Sequence, residues 1–135
     1  MSPLWRSPYG EHNKVLCIWA QQAGYLHVGW REGQTWKQSL DSNDWVPDEE
    51  TAGFHSPEEV YRKIMTLAEA SPNGINGGII LMHLGNIRTK KDMQVYTCLG
   101  KLIDSLQNMG YRFVVVSEMM KESGVDIGLL GNNSN

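Results

Sequence analysis

The chain has 135 residues, 41% hydrophobic and 20% charged, which is apolar material for one core and too little length for two domains of roughly 100–200 residues each. Twelve basic against fifteen acidic residues give a net charge of −3, and that excludes the basic footprint of a nucleic-acid binder or of a patch for an anionic membrane. No apolar run reaches the roughly 18–20 residues of a membrane helix and no signal-peptide order opens the chain, so it reads as soluble with no membrane span.

From Glu11 to Ala23 the apolar residues Val15, Leu16, Trp19, Ala20 and Ala23 recur at steps of three and four, which predicts a helix stopped by Gly24. Tyr25 to Trp30 has the β-branched and aromatic make-up of a short strand. Residues 31–54 keep no period, contain Gly33, Pro47 and Gly53, and carry Asp41, Asp44, Asp48, Glu49 and Glu50. They predict a long loop of the kind that in a small domain is functional or mobile. Ser56-Pro57-Glu58-Glu59 starts a helix, with serine as cap, proline at the first helical position and Glu59 completing a capping box. Its stripe continues through Val60, Ile64, Leu67 and Ala68.

Beyond turn chemistry at Ser71 to Gly77, Gly78 to Leu84 is an apolar run broken only by His83, as in a strand covered on both faces. Thr89 with Asp92 starts a third helix, striped by Val95, Leu99, Leu102, Ile103 and Leu106 and stopped at Gly110. Tyr111 to Val116 reads as a third strand, and Gly131 to Asn135 as a loose tail. Helices and strands alternating in this way predict an α/β fold with a parallel sheet. Three strands leave two exposed edges, which predicts pairing with another chain or a second copy.

In such folds reactive groups gather at the carboxyl ends of parallel strands. His83 ends the second predicted strand and would be desolvated there, which disfavours its charged form unless a carboxylate partners it; Asp44 and Asp41 are the candidates. The competing reading is a neutral core histidine bonded to a backbone carbonyl. Of five tryptophans, all in the first third, Trp36 and Trp45 lie in the loop where a sugar ring could stack. Trp5-Arg6-Ser7-Pro8-Tyr9-Gly10 precedes the first helix and reads either as an anion or oxyanion site or as a plain capping turn. Cys17 and Cys98 form no CxxC pair and imply neither a disulfide framework nor a zinc knuckle.

Taken in order, Arg6-Ser7-Pro8-Tyr9-Gly10, Gly24-Tyr25 leading to Trp30, Asp41-Ser42-Asn43-Asp44-Trp45, Ile79-Ile80-Leu81-Met82-His83 and Gly110-Tyr111-Arg112-Phe113-Val114 resemble the second half of the polysaccharide deacetylase domain, the NodB-like, metal-dependent carbohydrate de-N-acetylases. The resemblance runs from about Leu4 to Met119. It implies that Arg6 holds the catalytic base, that the Tyr9 backbone N–H helps stabilise an oxyanion, and that Asp44 tunes His83. It further implies that His83 is the general acid, that Trp45 lines the substrate groove, and that Leu81 packs around the acetyl methyl group.

The family's TFDDG and HSxxH motifs, which supply the base and the metal ligands, do not occur in this sequence. His12, His27 and His55 do not replace them, since no two histidines are four apart. The resemblance therefore implies residues 1–130 as the C-terminal portion of the domain, a partial, irregular (β/α) barrel with about three parallel strands. The complete enzyme would hold a divalent metal, zinc or similar, and this chain alone none. The chain would be inactive by itself, with carbohydrate as substrate and the missing N-terminal half or a second copy as partner. A non-catalytic carbohydrate-binding or assembly module is the alternative. Members of the family are commonly secreted or cell-wall associated, but this sequence leaves the compartment open.

Overall fold

The computed structural model describes residues 3–70 and 72–125, and its contacts fall into two units, Met1–Gly29 with Phe113–Asn135 and Trp30–Arg112. The expected tail at 131–135 lies outside the described residues. Among those described, no helix is long and apolar enough to cross a membrane.

The first unit holds β1 (Leu4–Trp5), α1 (Lys14–Gln22), β2 (Leu26–His27) and α4 (Val116–Glu122). β1 and β2 pair in parallel, Leu4 opposite Leu26 and Trp5 opposite His27, and α1 connects them as a crossover. Asn13 caps α1 by accepting the Leu16 amide at 2.9 Å. Gly24 ends it at φ 81°, with its N–H on the Gln21 carbonyl and that of Tyr25 on the Ala20 carbonyl. That is the pairing by which a left-handed glycine closes a helix.

The second unit contains α2 (Pro57–Glu69) and α3 (Leu99–Asn108). The capping box of α2 is complete, Ser56 accepting from the Glu59 amide and the Glu59 carboxylate from the Ser56 amide. Gly110 closes α3 with the same bond pair that Gly24 makes. Val60, Ile64 and Ala68 of α2 form one buried cluster with Leu102 and Leu106 of α3, joined by Leu40, Ile75, Val95 and Cys98. Spacings of three and four along both helices place these residues on facing stripes.

Three expectations are corrected. The third helix starts at Leu99; Lys91–Met93 and Val95–Cys98 form two 3₁₀ turns instead, and there the Met93 carbonyl accepts from Arg88 and that of Gln94 from the Thr97 amide and hydroxyl. The run Tyr111 to Val116 pairs with no strand among the described residues, and Val116 opens α4. Strand-forming residues need a neighbour, and this run has none there. The run ending at His83 is extended, but its ladder is one parallel bridge between Leu81 and Asp41.

Candidate functional site

The loop ahead of α2 is shaped by polar turns. Ser39 Oγ accepts the Asp41 amide at 3.0 Å, Asp41 Oδ1 the Asn43 amide at 2.9 Å, and Ser42 Oγ the Asp44 amide at 3.4 Å. Such side-chain bonds are the usual alternative to a ladder for Ser and Asp. They carry the chain through Asn43, at φ 54°, a left-handed conformation that asparagine tolerates.

The result is an inward Asp44 that is 0% exposed. Its Oδ1 lies 2.7 Å from Nδ1 of His83, and its Oδ2 accepts the His83 backbone N–H at 2.7 Å. One carboxylate thus fixes both the ring and the backbone of the histidine. An ionised carboxylate only accepts, so Nδ1 carries the proton and Nε2 is left for an incoming group. The sequence implied a desolvated histidine. Instead the His83 side chain is 45% exposed, and the buried member is the aspartate. The bridge at Leu81 ends the paired segment, and the backbone leaves the interior at His83.

Arg88, which no sequence pattern marks, is 3% exposed. Its Nε donates to the Val46 carbonyl at 2.9 Å, Nη1 to those of His55 at 2.9 Å and Met93 at 2.8 Å, and Nη2 to that of Asn43 at 3.3 Å. The Phe54 ring centroid lies 4.3 Å from the guanidinium carbon. Burial draws the guanidinium below its ordinary pKa, and the Asp44 charge opposes that. A long irregular loop has many carbonyls to satisfy, and that need is the one sequence-level signal that could have pointed to an arginine here.

Trp45, beside the aspartate, is 58% exposed and free to stack. Trp36 is not: it lies against His55 with centroids 3.4 Å apart, and Lys63 Nζ sits 4.1 Å from its ring centroid. That corrects its expected role as an exposed platform. Leu81 is half-buried; its amide donates to Leu40 and its carbonyl accepts from Ser42.

Arg6 and Tyr9 belong to the other unit. Arg6 Nε donates to the Val28 carbonyl at 2.9 Å and Nη2 to that of Gly29 at 3.2 Å. Tyr9 sits in a Pro8–Gly10 3₁₀ turn at φ 57° and is 98% exposed. The Gly10 amide there is already bonded to the Ser7 carbonyl at 3.1 Å, so it is not a spare anion donor.

A peptidoglycan-N-acetylglucosamine deacetylase of Bacillus cereus is 32% identical to this chain over 120 residues, 87% of the chain and 45% of that protein. The chain is a distant relative of a peptidoglycan deacetylase. It spans just under half the length of that relative. No protein-family model matches the chain, and no solved structure matches it.

A metal centre of the kind the resemblance implies for a deacetylase needs three protein donors converging on one point. Among the described residues no group of three His, Cys, Asp or Glu is so placed. His83 uses Nδ1 on Asp44, His12 Nδ1 on the Gly10 carbonyl, and His27 Nε2 on the Ser7 hydroxyl, while His55 stacks on Trp36. Each keeps a second ring nitrogen, but with no third donor converging, the described residues do not by themselves fit a metal site. A cleft of about 310 Å³ lies in the second unit, lined by Pro47, Glu49, Glu50, Phe54, Lys90 and Met93 among others; neither Asp44 nor His83 lines it.

Proposed function

We propose that the chain carries the acid side of a metal-dependent polysaccharide deacetylase, as the C-terminal half of a NodB-like catalytic domain folded as part of an irregular (β/α) barrel. Its reaction is hydrolysis of acetyl groups, amide-linked and by extension ester-linked, on a carbohydrate polymer. The observation that carries this reading is the buried Asp44 carboxylate bonded to Nδ1 of the exposed His83; the distant relation to a deacetylase supports it.

In this reading a doubly protonated His83 ring gives its Nε2 proton to the sugar nitrogen as the carbon–nitrogen bond breaks. The amine leaves neutral, and the ring keeps its Nδ1 proton on Asp44. General-acid assistance of this kind is worth about 10²–10⁴ in rate. Trp45 lines the groove and Leu81 packs near the acetyl methyl; the resemblance also assigns Arg6 to the base and the Tyr9 amide to the oxyanion, and both belong to the other unit. The base and the divalent metal come from the other half of the domain. The chain alone is inactive.

A second reading, a carbohydrate-binding module without turnover, is favoured by the exposed Trp45. Acetate release from N-acetylglucosamine oligomers with added zinc or cobalt separates the two. The chain would be assayed alone and mixed with the N-terminal half of a related deacetylase shown to bind it. Release in the mixture only, abolished by His83→Ala with saccharide binding kept, is the expected result. Release by the chain alone, or silence in the mixture with saccharide binding that depends on Trp45 and not His83, overturns it.

A further inference from the structure

We infer that Arg88 is the positioning residue of the Asp44–His83 pair, holding the carboxylate against the ring by tying the carbonyls on either side of Asp44 to the segment that follows His83. The inference rests on the acid–base reading of that pair and names what keeps it assembled.

Neither partner is held by regular structure. Asp44 lies in a loop whose ladder ends at the Asp41–Leu81 bridge, and its own amide makes only the long 3.4 Å bond to Ser42. His83 is followed by the exposed Leu84 and Ile87. The two segments are 39 residues apart in sequence where they meet; the Asp41–Leu81 bridge joins them on one side of the pair, and Arg88 is the buried group that joins them on the other. It bonds Asn43 and Val46, which bracket Asp44, together with His55 and Met93. Its own backbone is pinned by the Asn86 side chain, whose Oδ1 accepts its amide, and by the Gln94 side chain, which donates to its carbonyl.

Only a planar fork can donate along four such directions; a lysine offers one point of charge. The same charge lies near the Asp44 carboxylate, so the clamp stabilises what it positions. Phe54 beneath the guanidinium fixes its plane.

The test is a ¹⁵N NMR measurement on the intact chain, reading the His83 Nδ1 proton and its exchange with water. In the unmodified chain the ring is expected to carry its proton on Nδ1, where the bond to Asp44 slows its exchange. Arg88→Lys is expected to speed that exchange roughly tenfold or more through local opening, with the core amides of Ile64 and Leu102 unchanged. A merely structural arginine would move core and site together. Phe54→Leu, which keeps every Arg88 hydrogen bond, is expected to move exchange the same way by a smaller factor, and it decides the matter should Arg88→Lys fail to fold. Exchange within twofold of the unmodified chain in the variants that fold overturns the role of Arg88 alone. A ring protonated only on Nε2 in the unmodified chain removes the acid–base reading beneath it as well.

Discussion

Lys63 holds its ammonium group 4.1 Å from the Trp36 ring centroid and donates to the Asp41 carbonyl at 2.6 Å. Burial pushes its pKa down to about 8, with the Asp41 charge opposing. The unfolded chain therefore holds this proton up to roughly pH 10.4 while the folded chain releases it near 8. Stability rises with pH wherever the unfolded state binds more protons. The urea midpoint is expected to increase between pH 8 and 10, and the increase to be absent in Lys63→Met. A flat profile in the unmodified chain contradicts this.

Asp44→Asn removes one of the two acceptors that His83 uses. The His83 ring is 45% exposed and can turn to water, so the loss should fall toward the low end of the roughly 1–3 kcal/mol of an unpaired buried donor, and the urea midpoint should fall accordingly. In a reconstituted enzyme kcat is expected to fall by about 10²–10⁴ with KM nearly unchanged, the pattern of an interaction made in the transition state. A rise in KM alone would make Asp44 a binding residue.

Leu40 belongs to the loop, yet it lies in one buried cluster with Ile64 and Leu102. Leu40→Ala should then cost about 2–5 kcal/mol, as for a helix residue in a core. A loss under about 0.5 kcal/mol, the usual range for surface positions, would mean that the loop is not anchored by this side chain.

Tyr9 combines a φ of 57° with near-complete exposure. A non-glycine residue held in the left-handed region costs roughly 1–2 kcal/mol, and no packing here repays it. Tyr9→Gly is expected to raise the thermal midpoint. A lowered midpoint would show that the ring makes contacts that offset the strain.

The helices were legible because their signals are local. Ser56 and Glu59 are three residues apart, and Gly24 and Gly110 each close a turn already in progress. Of the strands, only that within Tyr25 to Trp30 was legible, as Leu26–His27; Leu4–Trp5 is too short to show a period, and Tyr111 to Val116 has the composition without a partner among the described residues. Asp44 and His83 were legible as a pair from motif order, but the direction of burial was reversed, because alternation cannot tell where a strand leaves the core. Arg88 and Lys63 went unseen because their partners are backbone carbonyls distant in sequence.

The bonds that Arg88 makes to Asn43, Val46 and His55 span 45, 42 and 33 residues. During synthesis the loop is made first, and its local turns at Ser39 to Asp44 precede the ties to Arg88, which wait until the chain past residue 88 has joined it. Such distant closures form after local ones and carry their entropy cost up front. The order is expected to reverse on unfolding, with the Asp44–His83 pair opening while α2 and α3 still stand. Under mild heat or dilute urea, the protected proton on His83 will disappear before the helical signal begins to fall.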